Sequence, residues 1–181
     1  MDAAGTTFNA LKTYYRSSFR PTAITAPTFG TVTWASEGTE GGTFHTRCFS
    51  VPSATSGLTI GRGYDMKDRT PQSVSTDLVA VGLAQARVAT IKKAAGLSGS
   101  EARNFVVDSD LLDFQLTPEQ QLALFRLSYD EQANEVKRIS ALEKTEKDYG
   151  KVDWDKLVAK IKGIAVDLNR PTSEVPGPIA T

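Results

Sequence analysis

The chain has 181 residues, 40% of them hydrophobic and 23% charged, which is enough for one globular domain with a sizeable core. Its 21 basic and 21 acidic residues cancel, so it lacks the positive excess that marks a nucleic-acid binder. One cysteine, Cys48, and one histidine, His45, exclude an intramolecular disulfide and a zinc site of the Cys/His type. No apolar run reaches the roughly 18 residues that a membrane-spanning helix needs. Met1-Asp2-Ala3-Ala4-Gly5 lacks the charged start and apolar core of a secretory signal.

In chain order, residues 6–19 read as a short amphipathic helix, with Phe8, Leu11, Tyr14, Tyr15 and Phe19 near helical spacing. Residues 20–30 contain Pro21, Pro27 and Gly30 and read as a linker, so residues 1–30 form an N-terminal extension. Val32-Thr33-Trp34-Ala35 reads as a strand, because valine and threonine are β-branched. Gly38, Gly41 and Gly42 then break the chain. Residues 44–51 alternate and read as a strand, residues 52–57 as a turn, and residues 58–64 as the returning strand of a hairpin.

Helices follow. Thr70-Pro71 is a helix N-cap with proline at the first position, and residues 71–82 and 83–95 carry the apolar period up to Gly96. Ser98-Gly99-Ser100-Glu101 fits a capping box, and so does Thr117-Pro118-Glu119-Gln120. The second opens a long helix with Leu122, Phe125, Tyr129, Ala133, Val136 and Ile139 on one side. Residues 140–151 are dense in charges of both signs and read as a solvated face. Asp153 caps a last helix whose stripe of Trp154, Leu157, Val158, Ile161, Ala165 and Leu168 reads as core. Pro171, Pro176 and Pro178 leave residues 171–181 as a loose tail. The expected fold is α+β, mainly helical, with a small β hairpin against a larger helical lobe.

Chemistry concentrates in two places. Glu37-Gly38 offers a carboxyl after Trp34 and before a glycine turn. Ser56-Gly57-Leu58-Thr59-Ile60-Gly61-Arg62-Gly63-Tyr64-Asp65-Met66 offers a hydroxyl and a second carboxyl in a glycine-punctuated β segment. Glycine within a strand pattern marks a tight bend or a close approach. Glycoside hydrolysis needs such a pair: one carboxyl donates a proton to the leaving oxygen, and the other activates water or attacks carbon. Burial keeps the first protonated, and polar surroundings keep the second ionised. The competing readings are structural. Glu37 also suits an exposed helix end, Asp65 a turn cap, Thr59 an ordinary strand position, and Cys48 a small apolar residue. Glu40 and His45 are nearby decoys for the acid and for a base, and Asp68 for the second carboxyl. There is no Gly-x-Ser-x-Gly elbow, phosphate loop or His-Glu-x-x-His motif.

Glu37-Gly38 followed by the 56–65 segment resembles the phage-type lysozymes. The resemblance is nearest to the branch with the muramidase domain of pesticin and the lysozyme-like effectors of type VI secretion systems. It covers roughly residues 31–170 and is concentrated in 36–66. It implies a lysozyme-like fold over 31–170, a helix ending at Glu37, and cleavage of the β-1,4 bond between N-acetylmuramic acid and N-acetylglucosamine. Glu37 would be the general acid, and Asp65 with Thr59 would hold the attacking water. Gly61, Gly63 and Tyr64 would line the substrate, the glycines by letting sugar rings approach the backbone and Tyr64 more by supporting the strand than by stacking on sugar. In most phage-type lysozymes the second acid precedes the threonine. Here Val51 to Ser56 holds no acid, and Asp65 matches the pesticin-like position. No metal or cofactor is expected.

The resemblance further implies peptidoglycan as partner, an immunity protein in the producer, and action in the periplasm or cell wall of a target bacterium. With no classical signal, and no net charge to steer the chain to an anionic wall, delivery by injection is expected. A monomer that neither inserts in membranes nor binds nucleic acid is expected as well. Two other readings stay open: a chitinase- or chitosanase-like hydrolase, and a lysozyme-like domain that binds glycan or a partner without cutting.

Overall fold

The computed structural model describes residues 3–16, 26–41 and 45–169. Among the described residues the chain is mainly helical with one two-stranded antiparallel sheet, an α+β fold. Helix α1 spans Ala3–Arg16 and α2 Thr31–Ser36. Strands β1, Thr59–Ile60, and β2, Tyr64–Asp65, follow. Then come α3, Pro71–Ala80; α4, Gln85–Ile91; α5, Gly99–Asp108; α6, Pro118–Ser140; α7, Glu143–Tyr149; and α8, Ala159–Leu168. Residues 17–19 of the expected first helix, 20–25 of the linker, Phe44 and the tail 171–181 lie outside the described residues.

Two helix starts follow from local chemistry. Thr70 Oγ1 accepts from the Ser73 amide while the Ser73 hydroxyl accepts from the Thr70 amide, and Pro71 takes the first position. Thr117 and Gln120 exchange the same pair of bonds at the head of α6. Ser98 departs from this pattern: its side chain makes no cap bond. The head of α5 is held instead by the Gly57–Ser98 bridge, with the Gly99 amide donating to the Ser56 carbonyl at 3.0 Å.

The hairpin is placed differently from the expected one. It pairs β1 with β2, in register Thr59 to Asp65 and Ile60 to Tyr64, around the turn Gly61-Arg62-Gly63. Gly61 at φ 64° and Gly63 at φ 86° take the left-handed backbone that lets so short a connection reverse. Residues 45–51 contribute only single bridges. Ser50 pairs with Thr59, but Cys48 pairs with Gln115 and the Arg47 carbonyl accepts from the Leu116 amide. Their hydrogen bonds are thus divided between the hairpin and the segment before α6, and no continuous third strand forms.

Leu58, Ile60, Tyr64 and Met66 point into a core with Phe49, Leu78, Ile91, Val106, Leu116 and Leu124. Helix α1 packs on α5 and adds Phe8 to that core, so the N-terminal extension is built onto the body. Helix α6 buries Gln121, Leu124, Phe125 and Ser128, a face confined to its first half. Val136 and Ile139, expected on the buried side, line an open groove of about 340 Å³ with Ala165 and Leu168. Helix α7 buries nothing, as its charge density predicts. The stripe expected from Trp154 to Leu168 does not form one buried face. Residues 154–156 form a 3-10 turn, the helix starts only at Ala159, and the phase set by packing on α2 and α6 buries Gly163 and Val166. Val158 and Leu168 are therefore left 61% and 81% exposed.

Candidate active site

The segment read from composition as a strand, Val32–Ala35, is helical. The Gly30 carbonyl accepts from the Trp34 amide, and Thr33 and Trp34 are buried. Trp34 meets Phe125 edge-on at 5.0 Å, while Phe29 stacks on Phe125 at 5.8 Å. Tertiary packing on α6 and α8 overrides the β preference of valine and threonine. Glu37 caps the C-terminal end of α2, half-buried, and its amide donates to the Thr33 carbonyl at 3.1 Å.

On the hairpin, Thr59 and Asp65 are direct partners. Both backbone bonds of Thr59 go to Ser50, and the Met66 amide bonds to the Leu58 carbonyl, so Thr59 and Asp65 form a non-hydrogen-bonded pair. Side chains come closest in such pairs, with Cβ atoms about 4.5–5.5 Å apart. Their neighbours in sequence are buried, so these two occupy the outer face. Asp65 Oδ1 also accepts from the Lys67 amide at 2.8 Å, the turn-capping role that the sequence offered as its alternative. Arg69 holds the same strand from behind. It donates to the Asp65 carbonyl at 3.1 Å, covers the Tyr64 ring at 4.1 Å, and forks onto Glu131 of α6.

Arg62, at the tip of the hairpin turn, joins the two halves. It is 5% exposed, lies 4.2 Å over the Trp34 ring, and donates to the carbonyls of Trp34 and Gly38, on either side of Glu37. Sequence reasoning passed over this residue. The available signal was a lone arginine between two turn glycines, downstream of a tryptophan and an acid.

Glu40 is likewise more than a decoy. Its carboxylate accepts from Gln121 at 2.8 Å, Arg47 at 2.9 Å and Thr46 at 3.2 Å, and Arg62 Nη2 stands 3.9 Å away. Burial pushes the Glu40 carboxyl up, but the bonds from Gln121 and Arg47 outweigh it and hold it below the usual glutamate range. His45 is buried and satisfied. Nδ1 accepts the Gly41 amide at 2.7 Å, which puts the proton on Nε2, facing Gln115 Oε1 at 3.3 Å. The 3.4 Å approach of Nδ1 to Glu40 becomes an ion pair where the ring is protonated, and that attraction adds to the lowering at Glu40.

A lowered folded-state proton affinity at Glu40 stabilises the fold above the ordinary glutamate value of 4.5 and stops doing so as pH falls through the depressed value. Thermal unfolding followed from neutral pH downward should show this part of the Tm decline setting in near pH 4.5 and ending once pH is below the depressed value. Glu40→Gln should flatten the decline, and an unchanged slope would count against the ionised network.

Of the residues read as substrate-lining, Gly61 and Tyr64 are buried. Tyr64 is 1% exposed, and its hydroxyl donates to Asp77 at 2.7 Å; burial and that bond push its proton affinity up. Gly61 is buried, and an added Cβ would meet Leu116 at 3.3 Å, so its open side faces the core. Gly63 is half-buried. The 340 Å³ groove and a smaller pocket beneath α2, lined by Thr33, Phe125, Ser128 and Val166, involve none of Glu37, Thr59 and Asp65. Among the described residues, no group of three or more His, Cys, Asp or Glu side chains could hold a metal ion, and no helix is long and apolar enough to cross a membrane.

Residues 30–172 match the model of a family described as a domain of unknown function, DUF8812. No curated protein and no solved structure matches the chain.

Proposed function

The chain belongs to the DUF8812 family, and for it we propose a peptidoglycan-cleaving muramidase, with Glu37 as general acid and Asp65 and Thr59 holding the attacking water. The observation that carries this reading is the pairing of Thr59 with Asp65 on the outer face of a hairpin. The turn of that hairpin grips, through Arg62, the helix end that bears Glu37. The motif resemblance at Glu37 and over 56–65 supports the same assignment.

In the reaction, Glu37 gives its proton to the glycosidic oxygen as that bond breaks. Water bonds to the anomeric carbon from the opposite face and yields a proton to Asp65, with the Thr59 hydroxyl fixing its direction. The net change is addition of one water, and Asp65 later releases its proton to solvent. Attack by water inverts the anomeric centre, which calls for carboxyl groups roughly 6.5–9.5 Å apart. The target would be the wall of another bacterium, and the producer would need an immunity protein to cover the site.

The test is clearing of purified peptidoglycan, with proton NMR of the first product anomer. Wild type should clear the suspension and release the inverted anomer. Asp65→Asn should lose about 100-fold or more, as expected for removal of a general base. An Asp65→Asn enzyme near wild-type rate would displace Asp65 from the mechanism. The Asp65–Lys67 turn bond favours one second reading, a domain that binds glycan without cutting. Folded wild type that sediments with peptidoglycan yet releases no reducing ends would establish that reading instead.

A further inference from the structure

We propose that Arg62 and Glu40 are positioning residues for Glu37: Arg62 fixes the turn that carries it, and Glu40 balances the charge that Arg62 brings beside it. The inference rests on the muramidase reading for its catalytic meaning, but its physical content is separable.

The geometry is specific. A single guanidinium nitrogen, Arg62 Nη1, donates to both Trp34 O and Gly38 O, the latter at 2.6 Å. Those carbonyls bracket Glu37 in sequence, so its backbone cannot shift along the helix axis without straining one of the bonds. The Trp34 ring closes one side of the guanidinium at 4.2 Å. Lysine could donate to two carbonyls from one ammonium, but it offers no planar face to stack on the Trp34 ring and hold that nitrogen in place.

The cost of this anchor is a positive charge that acts on Glu37 itself. A cation near a carboxyl favours its ionised form, which opposes a proton donor. The charged groups that act on Arg62 are Glu37 and Glu40. Glu40 in turn meets Arg47, the His45 ring and, from α6, uncharged Gln121. Behind these, His45 faces Gln115 and Arg47 donates to the Leu116 carbonyl. With both arginines charged, Glu40 is the fixed negative charge among them. It stands 2.9 Å from Arg47 and 3.9 Å from Arg62. Remove it, and the Arg62 guanidinium, no longer balanced, draws the proton off Glu37.

The test compares wild type, Glu40→Gln, Arg62→Gln and Arg62→Lys in two readouts. One is the carbon-13 titration of the Glu37 carboxyl without substrate, assigned by its disappearance in Glu37→Gln. The other is the pH–rate profile on peptidoglycan. Glu40→Gln should lower the Glu37 midpoint by about one unit and Arg62→Gln should raise it by a similar amount, the scale of one nearby partly screened charge. The basic limb of the rate profile should follow each. Arg62→Lys keeps the charge, so its midpoint should stay near wild type while kcat falls about tenfold through misplacement.

Opposite shifts cannot come from a general loosening of the fold. Midpoints that stay put, or that move the same way in both neutral variants, overturn the proposal. If either neutral variant fails to fold, Arg62→Lys decides: an unmoved midpoint with reduced kcat upholds the anchor, and full kcat overturns it. A wild type that cuts nothing while its midpoints shift as described defeats the muramidase reading and leaves the electrostatic pair standing. An active wild type with unmoved midpoints does the reverse.

Discussion

Glu37→Gln should lower peptidoglycan hydrolysis by two to four orders of magnitude, the usual worth of a general acid, and leave the fold in place. Glutamine matches glutamate in shape but cannot give up a proton on the time scale of bond breaking. The residue lies at the C-terminal end of α2, half-buried, and its backbone bond to Thr33 is independent of the side chain. A carboxylate there faces the negative end of the helix, so neutralising it costs little and offsets the lost attraction to Arg62. Tm should move by only a few degrees, as for a substitution within about 0.5 kcal/mol of neutral. The informative comparison is kcat, Tm and affinity for insoluble peptidoglycan in the same preparation. Loss of rate with binding and stability retained assigns chemistry to Glu37. A folded Glu37→Gln enzyme that still clears peptidoglycan at more than a tenth of the wild-type rate would remove it from that role.

Gly99→Ala should destabilise the protein by about 3 kcal/mol, adding left-handed backbone strain to a forced shift of main chain. Gly99 opens α5 at φ 54°, and a Cβ there would sit 2.2 Å from the Ala54 carbonyl oxygen. That atom belongs to backbone held by the Ser53 side chain and by the Gly57–Ser98 bridge, so it cannot swing aside as a flexible side chain would. For a chain of this size Tm should drop by roughly 6–12 °C. Gly82→Ala is the internal control. It has φ 84° but nothing within 4 Å of the added carbon, so only the conformational part, about 1 kcal/mol, should appear. Denaturant unfolding of the two variants separates strain from contact. Equal losses would show that the approach of the 53–57 loop to α5 is soft.

Much of the fold was legible in the sequence where one local rule dominated. Thr117-Pro118 and Thr70-Pro71 start helices because side-chain oxygens meet orphan amides whatever surrounds them. Gly57 was readable as a place of close approach, and Asp65 Oδ1 and the Lys67 backbone do crowd it. Where packing chose between options, local rules gave the wrong one. Val32–Ala35 has strand-forming side chains but is helical because Trp34 docks on Phe125. The apolar residues near the C-terminal end of the described chain promise a core stripe, but the helix starts late and its phase turns Val158 and Leu168 outward.

The candidate site divides in the same way. Glu37, Thr59 and Asp65 could be picked out by residue type and spacing. Their mutual placement depends on Arg62, Glu40 and Gln121, and the bond from Gln121 to Glu40 joins residues 81 positions apart. No window along the chain contains that information. Tyr64 reads from its place in the motif as a support of the strand more than a surface for sugar, and it stands as a buried post under Arg69 and against Asp77.

The bridges that frame the hairpin also set an order of assembly. Cys48 waits for Gln115, Gly57 for Ser98, and Glu40 for Gln121. Each closes a long loop, whose entropy must be lost before the contact returns anything. As the chain leaves the ribosome, Glu37 and the 56–66 segment emerge early. A two-stranded hairpin on its own is at best marginally stable in water. A nascent chain that has not yet released the head of α6 therefore carries the whole motif without the scaffold that gives it shape.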